Sequence, residues 1–545
     1  MKRVVAALAA VVLVGSLAGL TNVAAASDQV KAGPAFTPTV AAWKNCGDLQ
    51  CSTLTVPMDY AHPDNGKTVK LAITRLAADP LAGAYAGIMV VNPGGPGGAG
   101  TPYPVLREYV PGTAAKRYDW IGFDPRGVGA STPALHCNAN YFGNNRPNFV
   151  PKTKKLKAYW FKKTAGYATA CSKSTAKDLL PFMTTRDSAR DMETLRQALH
   201  DAAPALNKPA VEKFNFYGFS YGTYLGAVYA TLYPSKVGRF VLDGVVDPAR
   251  YWYGSNFDQS KAFDKNINIF FRWMAKHDKV FHLGKNGSKI RAGYNKLLKK
   301  LDKHPKAGGR LGPDELTDAM LSAGYYVYDW ASIGSAYSKL VRKGQGYPLY
   351  SMYRSGNQGA DNDNGYAVYL GVQCTDQRRP SKGKQVKDTW RVHKKAPFLA
   401  WDNTWYNMPC LTWRAPSRGK VPITGAGLGA TKILLISETK DAATPYSGAL
   451  NLRNIFKGSA LIAGVGGTTH AGSLSGVACV DNRIASYLAT GALPTRQSGR
   501  RSDLNCPAVP RPPASSAGRS TAKVSTGVPT GLRALLTGTQ RISLG

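Results

Sequence analysis

The chain has 545 residues, of which 43% are hydrophobic, and its 70 Lys and Arg against 33 Asp and Glu give a formal net charge of +37. This length and apolar fraction suffice for a large buried core and exclude an intrinsically disordered chain. The basic residues are spread along the sequence, so the charge does not mark a single basic arm.

Residues 1–26 have the features of a secretory signal peptide. Lys2 and Arg3 precede the apolar stretch VVAALAAVVLVGSLAGL, and the small residues of VAAAS provide a cleavage site after Ala26. An uncleaved anchor is the alternative, because the apolar stretch is long for a signal core. No later stretch is apolar over the roughly 20 residues that a membrane span needs. We therefore expect a secreted, extracellular protein without a transmembrane anchor.

Eight cysteines fit that location, because disulfides persist in oxidising surroundings. Many pairings are open to eight cysteines, so the connectivity is a hypothesis based on proximity in the sequence. The suggested pairs are Cys46–Cys51, Cys137–Cys171, Cys374–Cys410 and Cys479–Cys506. No CxxC pair with metal-ligand spacing is present, and we predict neither a metal nor a cofactor.

From about residue 50 the sequence predicts an α/β protein. Two short strands, in CSTLTVPMDY and KTVKLAITRLAA, lie between turn signals. Continuous apolar runs follow, and they indicate strands buried on both faces of a mostly parallel sheet, with helical crossovers between them. Each run ends in a loop rich in Gly, Pro or Asp, at the strand ends where functional groups of such sheets gather. The runs are GIMVVNPGGPGGAG, YDWIGFDPRGVGAST, FNFYGFSYG, GRFVLDGVVDP, KILLISETKDAATP and ALIAGVGGTTHAG.

A long insertion separates the strand near Val241 from the strand near Leu434. It greatly exceeds the roughly 30 residues of one βαβ unit and contains helix-like stretches and many aromatic residues. We predict a large, mainly helical cap over the edge of the sheet where these loops gather, and we prefer it to a separate tandem domain because the sheet resumes afterwards. The predicted organisation is a first core segment at 27–248, the cap at 249–428, a second core segment at 429–506, and a basic, Pro/Ser-rich tail without fixed structure at 507–545.

The motif GFSYG at residues 218–222 has the G-x-S-x-G pattern of a nucleophile turn. It follows the strand FNFY and precedes the helix TYLGAVYATLYP, which is the context that this pattern requires. The flanking glycines allow a sharp turn that holds the serine in a strained conformation with its hydroxyl exposed. We interpret Ser220 as a nucleophile, although such glycines also serve to pack a helix against a strand.

A serine nucleophile needs a base and an orienting acid, in the chain order Ser, Asp or Glu, His. Asp441 follows the run KILLISE and His470 follows ALIAGVG, so both lie in loops at strand ends. Glu438 is a rival for the acid, and we favour Asp441 because the following AATP forms a turn that can hold it against the histidine. We predict that Ser220 attacks a carbonyl, His470 transfers the proton and Asp441 orients the imidazole.

The oxyanion that forms during such an attack needs two backbone N–H donors. Tyr221, which follows the nucleophile, supplies one, and we assign the second to Gly95 in the loop NPGGPGG at residues 92–98. The alternative of a phosphate-binding loop fails, because neither a Lys-Ser/Thr pair nor dinucleotide spacing is present.

Six segments together resemble the secreted tripeptidyl aminopeptidases of actinomycetes, relatives of proline iminopeptidases in the α/β-hydrolase superfamily. The segments are NPGGPGG, FDPRGVGAST, GFSYGTYLGAVYATLYP, VLDGVVDP, DAATP and GTTHAG, and the resemblance runs from about residue 40 to 506. It implies an α/β-hydrolase fold with the cap inserted before the acid-bearing strand, and a secreted serine exopeptidase. Such an enzyme releases short peptides, tripeptides in particular, from free amino termini through an acyl-enzyme. Ser220, Asp441 and His470 match the family triad.

One departure from the related enzymes guides the choice of branch. Proline iminopeptidases open the oxyanion loop with a histidine, as H-G-G-P-G, whereas Pro93 stands at that place here. This favours the tripeptidyl branch over release of a single proline.

An aminopeptidase must bind the ammonium group of its substrate, and a carboxylate in the cap is the physical solution. The candidates are Asp376 in VQCTDQ, Asp329 in YVYDW, and Asp361 or Asp363 in GADNDNG. None of them stands out from the sequence alone.

Two other functions stay open. The same triad under an aromatic cap suits a secreted carboxylesterase or lipase-like hydrolase, and a catalytically inactive hydrolase fold could bind the cell envelope. The partners that we expect are peptide or protein substrates. Lysine-rich stretches such as PKTKKLKAYWFKK are solvated helix faces in the simplest interpretation, or they attract an anionic cell envelope or acidic substrates. No nucleic-acid motif accompanies the charge, so specific nucleic-acid binding is not expected.

Overall fold

The computed structural model describes residues 36–356 and 363–514. The predicted signal peptide, Asp361 and the predicted tail beyond residue 514 lie outside these ranges. The strands are β1 Thr39–Val40, β2 Lys44–Cys46, β3 Leu49–Pro57, β4 Thr68–Leu76, β5 Ile88–Asn92, β6 Asp119–Phe123, β7 Phe214–Phe219, β8 Val237–Asp243, β9 Ile433–Glu438, β10 Ser459–Val465 and β11 Leu504–Pro507. The helices are α1 Lys154–Cys171, α2 Thr185–Ala202, α3 Tyr221–Leu232, α4 Tyr253–Lys276, α5 Asp278–Phe281, α6 Gly287–Lys303, α7 Pro313–Tyr325, α8 Trp330–Lys343, α9 Tyr347–Gly356, α10 Asn364–Asp376, α11 Lys382–His393, α12 Ala400–Asn407, α13 Ser447–Ile455 and α14 Ala478–Thr490.

A single mixed sheet forms the centre of the molecule. Its strand order is β1-β3-β4-β6-β5-β7-β8-β9-β10-β11, and β2 pairs with β3. The pairs from β6 through β11 are parallel, whereas β1, β2, β3 and β4 pair in antiparallel fashion at one edge. This arrangement confirms the predicted mostly parallel sheet and the α/β-hydrolase fold.

The central strands are buried on both faces, as their unbroken apolar runs predict. In β5, Met89 and Val91 belong to one apolar cluster, whereas Ile88 and Val90 belong to the other. Successive side chains of a strand point to opposite faces, so the two clusters lie on the two sides of the sheet. Helices α2 and α3 pack together, and α3 also packs against β7 and β8. The loops at the carboxyl ends of β5, β7, β8, β9 and β10 therefore meet at one edge.

The long insertion between β8 and β9 folds as helices α4 to α12, in agreement with the predicted helical cap. A second segment, between β6 and β7, packs against it. Trp160 of α1 stacks on Trp405 of α12, with ring centroids 5.8 Å apart, and Arg146 forms ion pairs with Glu315 and Asp318 at 3.1 and 2.6 Å. The sequence predicts this second segment as part of the core and gives no indication of its contact with the cap.

All four predicted disulfides are present, and so the predicted connectivity is confirmed. Cys46–Cys51 closes the β2–β3 hairpin, and Cys137–Cys171 ties the end of α1 to the loop after β6. Cys374–Cys410 joins α10 to the turn after α12 within the cap, and Cys479–Cys506 joins α14 to β11.

The chain stays in contact with the core past the predicted start of the tail at residue 507. The Val509 amide donates a hydrogen bond to Glu438 at 3.0 Å, and the Arg511 guanidinium lies 5.2 Å from the ring centroid of Trp330. No helix within residues 36–356 and 363–514 is long and apolar enough to cross a bilayer.

Candidate active site

Ser220 lies in the sharp turn between β7 and α3. Its backbone has φ 54° and ψ −123°, in the left-handed region that disfavours a residue with a side chain, as predicted from the motif. Its amide donates to the Asp243 carbonyl at 2.9 Å, which fixes the turn to the end of β8. A side chain at Gly222 would come within 2.7 Å of the Asn92 carbonyl oxygen, so only glycine fits on that side of the turn.

Asp441 and His470 meet at the ends of β9 and β10. The imidazole Nδ1 lies 2.7 Å from Asp441 Oδ2, and both side chains are buried. Asp441 Oδ1 accepts hydrogen bonds from the Ala443 and Thr444 amides at 2.9 and 3.0 Å, so the AATP turn holds the carboxylate as the sequence suggested. With Nδ1 bonded to the carboxylate, Nε2 is the ring nitrogen left to exchange a proton with a serine.

Thr444 contacts both members of this pair, although the sequence alone assigns it no role. Its hydroxyl donates to Asp441 Oδ2 at 2.7 Å and lies 3.2 Å from His470 Nδ1. Its position three residues after the acid, inside the turn, is the signal that could have indicated it.

The serine turn and the imidazole flank the same strand end. Ser220 is bonded to Asp243, and a side chain on the next residue, Gly244, would come within 2.9 Å of the His470 ring. Tyr325 connects the two further, because it lines a cavity together with Ser220, while its carbonyl accepts the His470 amide at 2.8 Å. The three residues predicted as a triad are therefore brought together at one sheet edge.

Glu438, the rival acid, faces another part of the molecule. It lies at the end of β9, is buried, and accepts the Val509 amide at 3.0 Å through Oε1. Burial raises the pKa of this carboxyl to about 8. Because the bond to the imidazole comes from Asp441, the geometry favours Asp441 as the orienting acid.

The loop after β5 presses against the serine turn. A side chain at Gly94, which has φ +99°, would come within 2.9 Å of Ser220 Cβ. The Gly94 amide already donates to the Asn92 side chain at 3.0 Å, so the next amide, that of Gly95, is the one left for an oxyanion. Gly95 lines the cavity with Ser220 and Tyr221, and Tyr221 is the first residue of α3, where backbone N–H groups have no partner within the helix.

The cavity at the serine lies between core and cap. The core contributes the serine turn, the Gly95 loop and the loop after β9, and the cap contributes α4 together with Tyr325 and Tyr369. Two carboxylates line it, Asp247 and Asp258. Among the side chains that the structure describes, no group of three His, Cys, Asp or Glu could hold a metal ion.

The two cavity carboxylates differ in their partners. Asp258 forms ion pairs with Arg250 and Lys261, which compensate its charge. Asp247, in the loop after β8, accepts hydrogen bonds from the Asn451 side-chain amide at 3.0 and 3.1 Å and from a backbone amide, and it makes no ion pair with any described residue. Asp247 was not predicted from the sequence, although it lies in the VLDGVVDP run, in the loop after the strand next to the one that carries the nucleophile.

Asp376, predicted to bind a substrate amino group, is occupied within the protein. It is buried and accepts hydrogen bonds from the Thr185 amide and hydroxyl at 2.8 and 2.6 Å and from the Tyr251 hydroxyl at 2.7 Å. Burial raises the pKa of its carboxyl to about 6. Asp376 is not among the residues that line the cavity at Ser220.

The other predicted amine-binding candidates also lie away from that cavity lining. Asp329 is buried at the start of α8. Asp363 is buried before α10 and accepts hydrogen bonds from the Tyr167 hydroxyl and from two backbone amides. The structure therefore does not bring Asp329 or Asp363 to the serine.

Comparison with known proteins places the chain among serine peptidases. A family model described as "TAP-like protein" matches residues 396–506. A tripeptidyl aminopeptidase of Streptomyces coelicolor is 36% identical over 506 residues, covering 90% of this chain and 89% of that protein. The serine protease Hip1 of Mycobacterium tuberculosis is 29% identical and covers 82% of this chain and 86% of its own. A carboxylesterase B of the same species is also 29% identical, with 88% and 93% covered.

Proposed function

The chain belongs to the tripeptidyl aminopeptidase family of α/β-hydrolases, and from that premise we propose that this serine peptidase releases tripeptides from the free amino termini of peptides and proteins. The observation that carries the proposal is the His470–Asp441 pair, bonded at 2.7 Å after β9 and β10, at the sheet edge that also holds the strained Ser220 after β7. A cavity covered by the cap and lined by Asp247, a carboxylate that makes no ion pair with a described residue, adds the features that an exopeptidase needs.

The chemistry follows from these positions. Ser220 Oγ attacks the scissile carbonyl carbon while His470 Nε2 takes the hydroxyl proton, and the N–H groups of Gly95 and Tyr221 bind the oxyanion. His470 then gives the proton to the leaving amine, and an acyl-enzyme is left. Water, deprotonated by the same imidazole, hydrolyses this ester and frees the peptide and Ser220. Asp441, held by its turn and by Thr444, keeps Nδ1–H oriented and stabilises the imidazolium.

The restriction to chain ends is assigned to Asp247. A substrate ammonium in the cavity needs a carboxylate, and Asp247 is the lining acid that makes no ion pair with a described residue, although Lys420 lies near enough to interact with its charge. Asp376 and Asp329 are less suited, since neither lines the cavity. The space between Asp247 and Ser220 then sets how many residues are released.

The remaining features support an extracellular setting. Four disulfides suit an oxidising compartment. We include in the proposal that residues 1–26 form a signal peptide cleaved after Ala26. The net charge of +37 is suited to association with an anionic cell envelope.

The test is hydrolysis of a chromogenic tripeptide anilide that has either a free or an acetylated amino terminus. We expect the free form to be cleaved as an intact tripeptide and the acetylated form to have a kcat/KM at least about tenfold lower, because the ammonium contact is lost. Ser220→Ala is the control and must abolish the hydrolysis. Equal rates on both substrates would overturn the exopeptidase assignment.

A carboxylesterase is the second candidate, because one relative over most of the chain carries that name. Aryl esters of short acyl chains distinguish the two functions. An esterase would hydrolyse them with a far higher kcat/KM than any free-amino tripeptide anilide, whereas the proposed peptidase requires the peptide part of the substrate for efficient turnover.

A further inference from the structure

A second cavity adjoins the catalytic cavity inside the cap. Helix α4 lies between them, and Asn256 of that helix lines both cavities. Asn407 forms another link, because its Oδ1 accepts both the Tyr369 hydroxyl at 3.1 Å and the Arg379 guanidinium at 3.2 Å. Tyr369 lines the first cavity and Arg379 lines the second.

Arg379 is a buried cation without a buried anion. Only 7% of the residue is exposed, and the guanidinium donates to the amide oxygens of Gln373 and Asn407, both of them neutral. Within residues 36–356 and 363–514 it makes no ion pair, and none of the residues that line this second cavity is acidic. Burial lowers the pKa of Arg379 to about 10, so it is still charged at neutral pH. An unpaired buried charge destabilises a fold. We therefore expect an anionic group from a bound molecule to compensate the charge of Arg379.

The other buried arginines differ from Arg379 because each has a partner for its positive charge. Arg126, Arg146, Arg196 and Arg453 each form an ion pair with a carboxylate. Arg75 forms none with a described residue, but its guanidinium lies 4.6 Å from the centroid of the Trp43 ring, which attracts a cation.

Polar donors without acceptors surround the same position. Arg379 Nε and Asn256 Nδ2 are both buried and have no hydrogen-bond partner among the described residues. Both are N–H donors, so a group rich in acceptor oxygens would satisfy them together with the guanidinium charge. A carboxylate has that chemistry, whereas a Lys or Arg side chain would be repelled by Arg379.

We propose that Arg379 binds an Asp or Glu side chain of the substrate peptide, within the tripeptide that is released, and so determines specificity in the second cavity. This inference rests on the proposed peptidase function. The positive and negative charges of the substrate then bind at different sites. The ammonium group binds Asp247, and an acidic side chain extends past Asn256 to Arg379.

The first experiment compares substrates on the unaltered enzyme. Ala-Ala-Ala-anilide is the reference, and Glu or Gln replaces each alanine in turn. At one position we expect Glu to exceed Gln in kcat/KM by about tenfold or more, mainly through KM, because the two side chains differ only in charge. Arg379→Met should remove this preference, so that the Glu and Gln substrates have equal kcat/KM at that position. Arg379→Lys should keep part of the preference, because the charge is retained without the planar fork.

The neighbouring Arg378 provides the matched control. It is exposed and lies outside the lining of both cavities, so Arg378→Met should keep the full preference for Glu. Equal kcat/KM for Glu and Gln at all three positions, with the reference still cleaved, would overturn the role of Arg379 and leave the peptidase function standing.

Binding to the inactive Ser220→Ala protein separates the two claims. Calorimetric titration with tetrapeptide amides that carry Glu or Gln at each of the three positions should show tighter binding of one Glu peptide, and Arg379→Met should abolish the difference. This outcome supports the carboxylate site even if the active enzyme cleaves no tripeptide anilide, which would be a failure of the proposed function alone. Equal binding of every Glu and Gln pair overturns the inference regardless of turnover.

Discussion

Replacement of Asp247 by asparagine tests the amino-terminal recognition most directly. The introduced side chain would retain an oxygen to accept the Asn451 amide, so the loop should keep its shape while the negative charge is lost. A charge pair 4 Å apart near a protein surface has a Coulomb energy of roughly 4 kcal/mol at an effective dielectric constant of 20. Asp247 is partly buried, and desolvation of both charges offsets about half of that energy. A net loss of about 2 kcal/mol corresponds to a kcat/KM about thirtyfold lower.

The assay pairs each enzyme with two substrates, a free-amino tripeptide anilide and its analogue in which hydrogen replaces the amino group. Asp247→Asn should lower kcat/KM for the first substrate and leave the second unchanged, because the second has no ammonium to bind. Asp258→Asn is the matched control, since Asp258 lines the same cavity but is already paired with Arg250 and Lys261. The reasoning is refuted if Asp247→Asn affects both substrates equally or affects neither.

Three further predictions concern the acid, the core and the cap. Thr444→Val removes a hydrogen bond to Asp441, and we expect kcat to fall about tenfold with an unchanged circular dichroism spectrum; a kcat equal to that of the unaltered enzyme would contradict the positioning role. Burial raises the pKa of Glu438 from 4.5 to about 8, so between these pH values the folded state holds a proton that the unfolded state releases. The stability that the protonated Glu438 contributes is complete below pH 4.5 and is lost as the pH rises to 8. Glu438→Gln should therefore flatten the decline in unfolding free energy between pH 5 and pH 8 in urea titrations, and an unchanged decline would show that Glu438 ionises normally. Replacing both Cys374 and Cys410 by serine should lower the unfolding free energy by about 3 kcal/mol, measured with the other three disulfides intact, and a loss near zero would mean that packing alone holds α10 to the end of α12.

Local patterns were sufficient to predict the sheet, the serine turn and the disulfides. Ser220 is recognisable because a strand, two glycines and a helix follow one another within a dozen residues, and Asp441 and His470 each follow an apolar run that predicts a central strand. The chain order of such residues carries the information about the site, since parallel strands place their ends at one edge.

Local sequence patterns could not predict the contacts between segments that lie far apart in the sequence. The sequence offers many acids in the cap, and only the folded chain shows that Asp376 is bonded to Thr185 and Tyr251 while Asp247 borders the cavity. Likewise, nothing local to Trp160 indicates its stacking on Trp405, 245 positions later, because an apolar helix face is compatible with any partner surface.

The attachment of the cap along two sides has a consequence for which parts of a protein can serve as substrate. The chain enters and leaves the cap beside the sheet, and the stacked Trp160–Trp405 pair and the Arg146 ion pairs attach the cap a second time, to the segment between β6 and β7. A cap that is attached to the core at two places cannot open by rotation about a single hinge to admit a folded loop. We therefore expect an unfolded chain end to reach the cavity between cap and core more readily than a folded loop does.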